Sequence, residues 1–139
     1  MPSYAPGEVS AIHGTHIVTG YAPGTMINAA RRSEAATLTV GVQGDWCFNL
    51  SSDKSGLVTF TLLGSSPSND YFMGIALAQE KLGAGEAPLG VEDANGTSLH
   101  FAESTRLQKI SDKAYEAETG NVQWAFLCPV LDHYVGSNV

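Results

Sequence analysis

Three kinds of short motif place residues of catalytic type at spacings that known chemistry uses. Ser51 and Lys54 are spaced like the nucleophile and base of serine acylases, which share one turn of a helix. His13 and His16 have the i,i+3 spacing of metal ligands on a helix. Neighbouring carboxylates can act as a general acid and a general base. The chain contains two such pairs, Glu92-Asp93 and Glu116/Glu118.

None of these motifs has the setting that its chemistry requires. Ser51 and Lys54 fall in a polar segment between two predicted strands, which favours a solvated loop. Gly14 lies between the two histidines, and no nearby acid or cysteine completes a metal shell, so a solvated hairpin turn is favoured. Glu116 and Glu118 stand in a polar segment that offers no apolar pocket to raise a carboxyl pKa, and a solvated acidic face is favoured for the acid pairs. The sequence therefore predicts a protein that is not an enzyme and that holds no metal and no cofactor.

The two cysteines, Cys47 and Cys128, are interpreted as structural residues. Each lies in a strand-like segment between apolar neighbours. Residues 1–8 lack the basic and apolar regions of a secretory signal, which favours a reducing compartment. We therefore expect two reduced, buried thiols that pack as small hydrophobic side chains.

The composition restricts the class of protein further. The 139 residues include 14 acidic and 7 basic side chains, which gives a net charge of −7 with neutral histidines. Tight binding to nucleic-acid phosphates needs a basic footprint, so this balance argues against it. Only 15% of the residues are charged, which favours an uncharged surface or one that is covered in an assembly. The length predicts a single domain, 1–139, and no apolar run reaches the roughly 18 residues of a membrane span.

Alternation of polar and apolar residues predicts that the chain is mostly short β-strands. Residues 56–63 show it best, because Val58, Phe60 and Leu62 share one face while threonines occupy the other. Residues 25–31 and 36–42 are predicted to pair as a hairpin. The polar face of this hairpin and of residues 56–63 carries Thr37, Thr39, Thr59 and Thr61.

One segment has helical periodicity instead. Ser66 and Pro67 suit a helix start, and Gly83 suits a helix end. Further along, Asn95-Gly96 predicts a hairpin between two strands, and residues 105–110 predict one more strand. The predicted fold is mainly β, a sandwich or barrel with one flanking helix at about 67–82.

Several strings, taken in order, resemble the tail tube proteins of contractile-tailed bacteriophages. Each string is short, but together they cover nearly the whole chain, and the passage from a strand into a capped helix at residues 62–70 is the most specific. The strings are Gly20-Tyr21-Ala22-Pro23-Gly24, Val40-Gly41-Val42-Gln43-Gly44, Ser55-Gly56, Leu62-Leu63-Gly64-Ser65-Ser66-Pro67-Ser68-Asn69-Asp70, Asp93-Ala94-Asn95-Gly96-Thr97, Trp124 with Cys128, and Leu131-Asp132-His133-Tyr134-Val135-Gly136.

The resemblance implies a β-sandwich-like subunit that forms hexameric rings, which stack into a tube inside a contractile sheath. Strands from the six subunits would close into one barrel, and genome DNA and the tape measure protein would pass through its lumen without specific binding. The resemblance also implies contacts with the tail sheath, baseplate and tail terminator proteins, no cofactor and no membrane anchor. It places the protein in the virion tail, after assembly in the host cytoplasm.

Two groups of site residues are expected on this interpretation. The extended arms, residues 1–7 and 132–139, are expected to contact neighbouring rings. For Trp46 and Phe48 the alternative of ordinary core residues stays open. Trp46, Phe48, Asp53, Lys54 and Tyr134 are expected at contacts between subunits or rings, and Thr37, Thr39, Thr59 and Thr61 on the lumen or another wet sheet face.

Two alternative functions remain. A free-standing β-sandwich binding module, for instance for carbohydrate, is one, with its aromatic platform drawn from Trp46, Tyr21, Tyr115, Trp124 and Tyr134. The other is a related component of the same machine, such as a tube terminator or a baseplate-hub protein. Self-assembly distinguishes the binding module from a tube subunit and from a related component of the same machine.

Overall fold

The computed structural model describes residues 5–115, 117–118 and 120–137. Within these residues the chain is mainly β with one flanking α-helix, so the predicted fold class is confirmed. No helix in this part of the chain is long and apolar enough to cross a membrane. The helix is α1 (Ser68–Leu82), and the strands are β1 (Val9–His13), β2 (His16–Ile17), β3 (Ile27–Arg31), β4 (Ala36–Val40), β5 (Trp46–Leu50), β6 (Gly56–Leu63), β7 (Ala87–Asp93), β8 (Leu99–Leu107), β9 (Asn121–Cys128) and β10 (Asp132–Tyr134).

Eight strands form one antiparallel sheet in the order β2-β1-β7-β8-β9-β6-β3, and β10 pairs with β8 beside this path. Strand β8 joins two halves of this sheet, because it pairs with β7 and β10 near its start and with β9 near its end. The first half is β2-β1-β7-β8-β10, and the second half is β8-β9-β6-β3. Buried side chains from both halves form one core, which α1 also contacts.

Strand β6 and helix α1 follow the sequence prediction closely. Along β6, every second residue is buried, including Val58, Phe60 and Leu62. Helix α1 places Phe72 against this surface, with its ring 5.9 Å from that of Phe60. Gly83 ends the helix in the left-handed conformation at φ 67°, where a glycine avoids strain. At the other end the helix begins at Ser68, so Pro67 is the N-cap and not the first helical residue, and the Ser66 hydroxyl accepts from the Ser68 amide at 3.2 Å.

The later strands also form largely as predicted. Strands β7 and β8 pair as a hairpin around Asn95-Gly96. The strand predicted over residues 105–110 is the second part of β8, which runs continuously from Leu99 to Leu107. A register shift between β7 and β8 near Ala87 and Leu89 reverses which β8 side chains face the core.

The predicted pairing of residues 25–31 with 36–42 is wrong. Strand β3 pairs instead with β6, and β4 pairs with β5. The Arg31 guanidinium donates to the Leu131 carbonyl at 2.8 Å, which ties the end of β3 to the loop before β10. The chain then leaves the sheet, and the second turn around Gly44, with φ 90°, closes the hairpin instead.

His13 and His16 lie at the predicted hairpin between β1 and β2, but His13 is not solvated. Its side chain is fully buried, with its ring 4.8 Å from that of Phe126. One nitrogen, Nδ1, lies 3.1 Å from the Tyr71 hydroxyl, and Nε2 has no hydrogen-bond partner in the described structure. Burial, together with the charge of His16, lowers the pKa of His13 to about 4. The imidazole is therefore held in the core in its neutral form.

We expect His13 to make the fold sensitive to acid. Its pKa is about 4 in the folded chain and about 6.5 in the unfolded chain, so its stabilising effect is complete above pH 6.5 and is lost as the pH falls towards 4. Between pH 7 and about pH 4.5 this one group lowers the free energy of unfolding by about 2 kcal/mol. His13→Asn keeps a donor near Tyr71 and cannot take up a proton. Urea unfolding at both pH values should show a loss about 2 kcal/mol smaller for the variant, and equal losses would contradict this.

Candidate functional site

A hairpin projects from the main sheet between β3 and β6. The Arg32 amide donates to the Ser55 carbonyl at 3.1 Å, so the chain leaves and returns at one place. We call residues 32–55 the projecting hairpin. Its strands pair only with each other, and every residue from 32 to 54 is exposed. Because an isolated two-stranded hairpin is at best marginally stable in water, this element needs a further surface to pack on.

The register gives the projecting hairpin an apolar face. Leu38 lies opposite Phe48 and Val40 lies opposite Trp46, so these side chains point to the same side. The Trp46 side chain is 66% exposed, and its ring lies 5.2 Å from that of Phe48. The whole apolar face consists of Ala36, Leu38, Val40, Trp46, Phe48 and Leu50. An exposed apolar surface of this kind is typical of a contact with another molecule.

The opposite face of the projecting hairpin is polar. It carries the predicted wet-face residues Thr37 and Thr39, and the Asn49 amide donates to the Thr39 hydroxyl at 2.8 Å. Cys47 lies opposite Thr39 on this face and is exposed, so the prediction of two buried thiols is wrong for Cys47. The reason is that no other element covers β5. Cys128 is buried, as predicted.

The structure decides between the two alternatives for Trp46 and Phe48. Neither side chain joins the core cluster of the chain, and both are more than half exposed, at 66% and 60%. The alternative of ordinary core residues is therefore wrong. Their expected role as contacts between subunits or rings stays a prediction.

Asp53 and Lys54 lie at the base of the projecting hairpin. The Asp53 carboxylate accepts hydrogen bonds from the Ser33 hydroxyl at 2.6 Å and from the Ser55 amide at 2.9 Å. These two bonds lower the pKa of Asp53 to about 2. Asp53 therefore fastens the two ends of the hairpin together. Ser51 and Lys54 lie in the loop before β6 and not on a helix, as the sequence analysis predicts.

The second half of the sheet turns a polar face outwards. Thr59 and Thr61 of β6 point away from the core and are partly exposed. Thr61 lies opposite Gln123 of β9, and Asn28 of β3 lies opposite Thr59. Thr59, Thr61 and Gln123 line a groove that also contains the apolar Leu57 and Ala125 and the charged Lys109 and Asp112. We call Asn28, Thr59, Thr61 and Gln123 the polar sheet face.

The outward face of the first half carries large apolar side chains, with Glu92 opposite Leu99 and Asp132 opposite Phe101 among them. Tyr134 of β10 lies opposite Leu99 of β8, and Phe101 lies in the same row as Ile12 through Gly90. All four large side chains are exposed, between 41% for Phe101 and 62% for Tyr134. Tyr134 therefore lies on an exposed apolar surface of the first half, away from the core.

The structure brings together two histidines that the sequence analysis leaves apart. His100 of β8 lies opposite His133 of β10, with their Nδ1 atoms 2.8 Å apart. Burial and the charge of His133 lower the pKa of His100, while burial and the charge of Arg31 lower that of His133. One neutral imidazole thus donates to the other. No local signal reveals this pair, because it depends on the docking of β10 beside β8.

Parts of the predicted arms and of one acid pair lie outside the described residues. These parts are residues 1–4, 138 and 139, and Glu116. Of the C-terminal arm, residues 132–134 form β10 on the chain's own sheet, and the Gly136 amide donates to the Ser98 hydroxyl at 2.9 Å. This segment therefore packs on its own subunit over the part that is described.

The aromatic residues proposed for a carbohydrate platform do not share one surface. Trp124 is buried under α1, at 3% exposure, and its indole N–H donates to Asn69 at 2.9 Å. Trp46 lies on the projecting hairpin, and Tyr21 is half-buried. The geometry therefore favours a contact surface on the projecting hairpin over a sugar-binding platform.

Residues 8–136 match a protein family described as "Bacteriophage PhiTE tail tube protein". No curated protein matches the chain by sequence.

Three solved structures are similar in fold. A sheath/tube terminator of an extracellular contractile injection system, PVC, in its extended state, has a TM-score of 0.62 and 11% identity, over 96% of this chain and 97% of that one. The tube-terminating cap of the anti-feeding prophage has a TM-score of 0.57 and 10% identity, over 100% and 93%. A chain of the PVC sheath–tube complex in its extended state has a TM-score of 0.60 and 10% identity, over 99% and 93%.

Proposed function

Because this chain belongs to the Bacteriophage PhiTE tail tube protein family, we propose that its copies form hexameric rings that stack into the inner tube of a contractile phage tail. The role is structural, and the proposal assigns the chain no catalytic activity and no cofactor. The tube would lie inside the tail sheath and conduct genome DNA. The subunits would assemble in the host cytoplasm.

The exposed apolar face of the projecting hairpin carries this proposal. Leaving Leu38, Trp46 and Phe48 in water is unfavourable, and a single chain offers the hairpin nothing to pack on. Another copy of the chain would supply that surface in a head-to-tail contact, in which different patches meet. Contacts of this type close into rings or continue as filaments. Large aromatic side chains at such a contact supply much of the binding energy.

The polar sheet face supports a lumen lining that does not hold DNA. Thr59, Thr61 and Gln123 carry no charge, and proteins hold nucleic acid mainly through Lys and Arg at the phosphates. Lys109, which lies beside this face, has its ammonium 3.7 Å from the Asp112 carboxylate. The tape measure protein and the DNA would therefore slide along an uncharged surface. Thr37 and Thr39 would extend this surface onto the projecting hairpin.

A tube terminator is the second candidate, and the similarity to terminator structures favours it. The TM-scores of 0.62 and 0.60 for a terminator and for a sheath–tube chain do not separate the two roles. The family description names a tail tube protein and covers residues 8–136, so the tube is preferred. In either role the partners would be further copies of the chain, the sheath, the terminator and the baseplate.

The first test is electron microscopy of the purified protein over a range of concentrations, with light scattering on the same samples. We expect rings or hollow tubes of uniform width. A protein that stays monomeric at every concentration, including in the presence of preformed tail baseplates, would contradict the proposal.

Cys47 provides an internal probe of the same assembly. It is exposed in the single chain, whereas Cys128 is buried, so a folded monomer should react with one equivalent of a maleimide. A maleimide on a polyethylene glycol chain is too large to enter a subunit interface or a narrow lumen. We expect assembly to slow its reaction with Cys47 roughly tenfold or more. Unchanged labelling in tubes would show that the hairpin stays exposed, and unfolded protein, with two reactive thiols, is the control.

A further inference from the structure

His100 and His133 are a pair of metal-ligating side chains that the proposed function does not use. They lie directly opposite each other on β8 and β10, with their Nδ1 atoms 2.8 Å apart and their ring centres 4.5 Å apart. A hydrogen bond between two neutral imidazoles needs one proton, which one nitrogen donates and the other accepts. Both rings therefore turn the same nitrogen towards a single point between the two strands.

We propose that His100 and His133 bind one copper(II) ion through their Nδ1 atoms. Imidazole nitrogen suits late transition metals such as copper, nickel and zinc, whereas magnesium and calcium prefer oxygen ligands. On binding, the proton between the rings would move to Nε2 of the ring that carries it. Both Nδ1 lone pairs would then face the ion, and the pair would release no net proton. The site lies within one chain, so the inference does not depend on the proposed function.

The distance between the two nitrogens favours copper over zinc. With imidazole–metal bonds of about 2.0–2.1 Å, two ligands at a right angle have nitrogens about 2.9 Å apart, and two at the tetrahedral angle about 3.3 Å apart. The 2.8 Å between the Nδ1 atoms is close to the right-angle value. Right angles are typical of the square-planar and tetragonal sites of copper(II) and nickel(II), whereas zinc is usually tetrahedral. Of copper(II) and nickel(II), copper generally binds nitrogen ligands more tightly.

Water would fill the remaining coordination positions. Within the described ranges of the chain, no group of three or more His, Cys, Asp or Glu side chains could hold a metal. A groove beside His100, with a volume of about 170 Å³, contains Asp93 and Ser98 among apolar side chains. Water occupies about 30 Å³ per molecule in the liquid, so this groove has room for several molecules. The site would therefore be open, with two protein ligands.

The strands around the pair are acidic overall, which favours a bound cation. The Arg31 guanidinium acts on His133 and opposes a further positive charge, although two hydrogen bonds, at 2.8 and 3.2 Å, hold it at the Leu131 carbonyl. Strands β7, β8 and β10 together contain one base, Arg106, and the acids Glu92, Asp93, Glu103 and Asp132. The chain as a whole has a net charge of −7.

A bound ion would fasten β10 to the main sheet. Strand β10 has three residues, and the two ligands lie 33 positions apart in the sequence. Both nitrogens face one ion only while β10 is paired with β8. An ion that binds only this paired state stabilises it, and the effect grows with the free concentration of the ion. Copper would therefore act as a clip that holds the segment around residues 132–134 on its own chain.

Pulsed electron paramagnetic resonance with one equivalent of copper(II) sulfate tests the site directly. The starting protein is untagged and carries Cys47→Ser, because the exposed thiol would itself bind copper. We expect a tetragonal spectrum with two imidazole ligands. His100→Ala and His133→Ala should each leave at most one imidazole and weaken binding about tenfold or more, since even loss of a group behind a ligand costs that much. A starting protein with one imidazole ligand or none would overturn the inference.

His16→Gln is the matched control. His13 is fully buried, and Nε2 of His16 lies 2.8 Å from the Ser68 hydroxyl oxygen, so these two histidines do not share a site. We expect the copper spectrum and the affinity of this variant to equal those of the starting protein. Loss of an imidazole signal in His16→Gln would place the ion at the first hairpin and overturn the inference.

Amide hydrogen exchange, read by mass spectrometry, tests the clip itself. At a free copper concentration of a hundred times the dissociation constant, the open state of β10 should become about a hundredfold rarer. Exchange in a peptide that covers residues 132–134 should slow to a similar extent, and His133→Ala should show no such slowing. Exchange that copper leaves unchanged in the starting protein would overturn the inference. Neither experiment needs assembled tubes, so failure of the copper site would leave the proposed function standing.

Discussion

Replacing Trp46 and Phe48 together by alanine is expected to stop the stacking of subunits without destabilising the fold. Both side chains are exposed in the single chain, at 66% and 60%, so their removal leaves no cavity. At an interface, truncation of a central aromatic anchor costs about 2 kcal/mol or more. Two such losses amount to about 4 kcal/mol, which weakens the association about a thousandfold. At a concentration where the parent protein forms tubes, the variant should form none.

The measurement pairs sedimentation of assembled material with thermal unfolding of the single chain. Tyr115→Ala is the matched control, because Tyr115 is an aromatic residue that is 90% exposed and lies outside the projecting hairpin. The control should assemble normally. If the double variant also assembled normally, the projecting hairpin would not be the contact between rings. If instead its melting temperature fell by many degrees, the two side chains would belong to the fold and not to the interface.

Local signals predicted the elements of the core well. Alternation along residues 56–63 gave the bounds of β6, and Ser66 with Gly83 gave those of α1 within two residues. These features depend on periodicity and on backbone conformations that only a few residues favour. Such information is contained in neighbouring residues. Strand pairing is different, because β3 joined β6, which is distant in sequence, and not the adjacent β4.

The candidate site was predicted only in part for a related reason. The alternation of Leu38 and Val40 with threonines correctly indicated an amphipathic strand. It also implied that the apolar side was covered, and a sequence pattern does not distinguish cover by the same chain from cover by another copy. The prediction that Cys47 is buried is wrong for the same reason, because Cys47 lies exposed on this uncovered hairpin. An apolar strand that no element of its own chain covers is therefore the structural sign of an interface here.

The histidines show a second limit of prediction from the sequence. His13 follows the alternation of β1, which predicts an inward side chain, yet its polar ring favoured a solvated turn. The core accepts it because burial keeps the imidazole neutral and Tyr71 binds Nδ1. His100 and His133 meet only because β10 returns to β8 after Pro129 has ended β9. Neither arrangement can be read from residue type alone.

Phe72→Ala is expected to give the largest loss of stability of any single change proposed for this chain. Phe72 is fully buried, and its ring lies 5.1 Å from Phe126 and 5.8 Å from Trp124. Truncating a buried phenylalanine to alanine costs about 3–5 kcal/mol, since it removes apolar contacts and leaves a cavity. Natural domains of this size have about 5–15 kcal/mol in total. Urea unfolding, followed by circular dichroism, should show the loss.

Phe72→Ala also tests whether the stability of the fold and the assembly of the tube are independent. Phe72 lies in the core on α1, away from the projecting hairpin, which the substitution leaves chemically unchanged. At low temperature, where the variant remains folded, it should therefore still form tubes. Leu82→Ala, at an 81% exposed position of the same helix, should change the free energy of unfolding by less than about 1 kcal/mol. If Phe72→Ala cost no more than this control, α1 would not be held to the sheet by Phe72. If folded Phe72→Ala failed to assemble, the tube contacts would extend to α1, and the outer surface of the helix would become the next region to test.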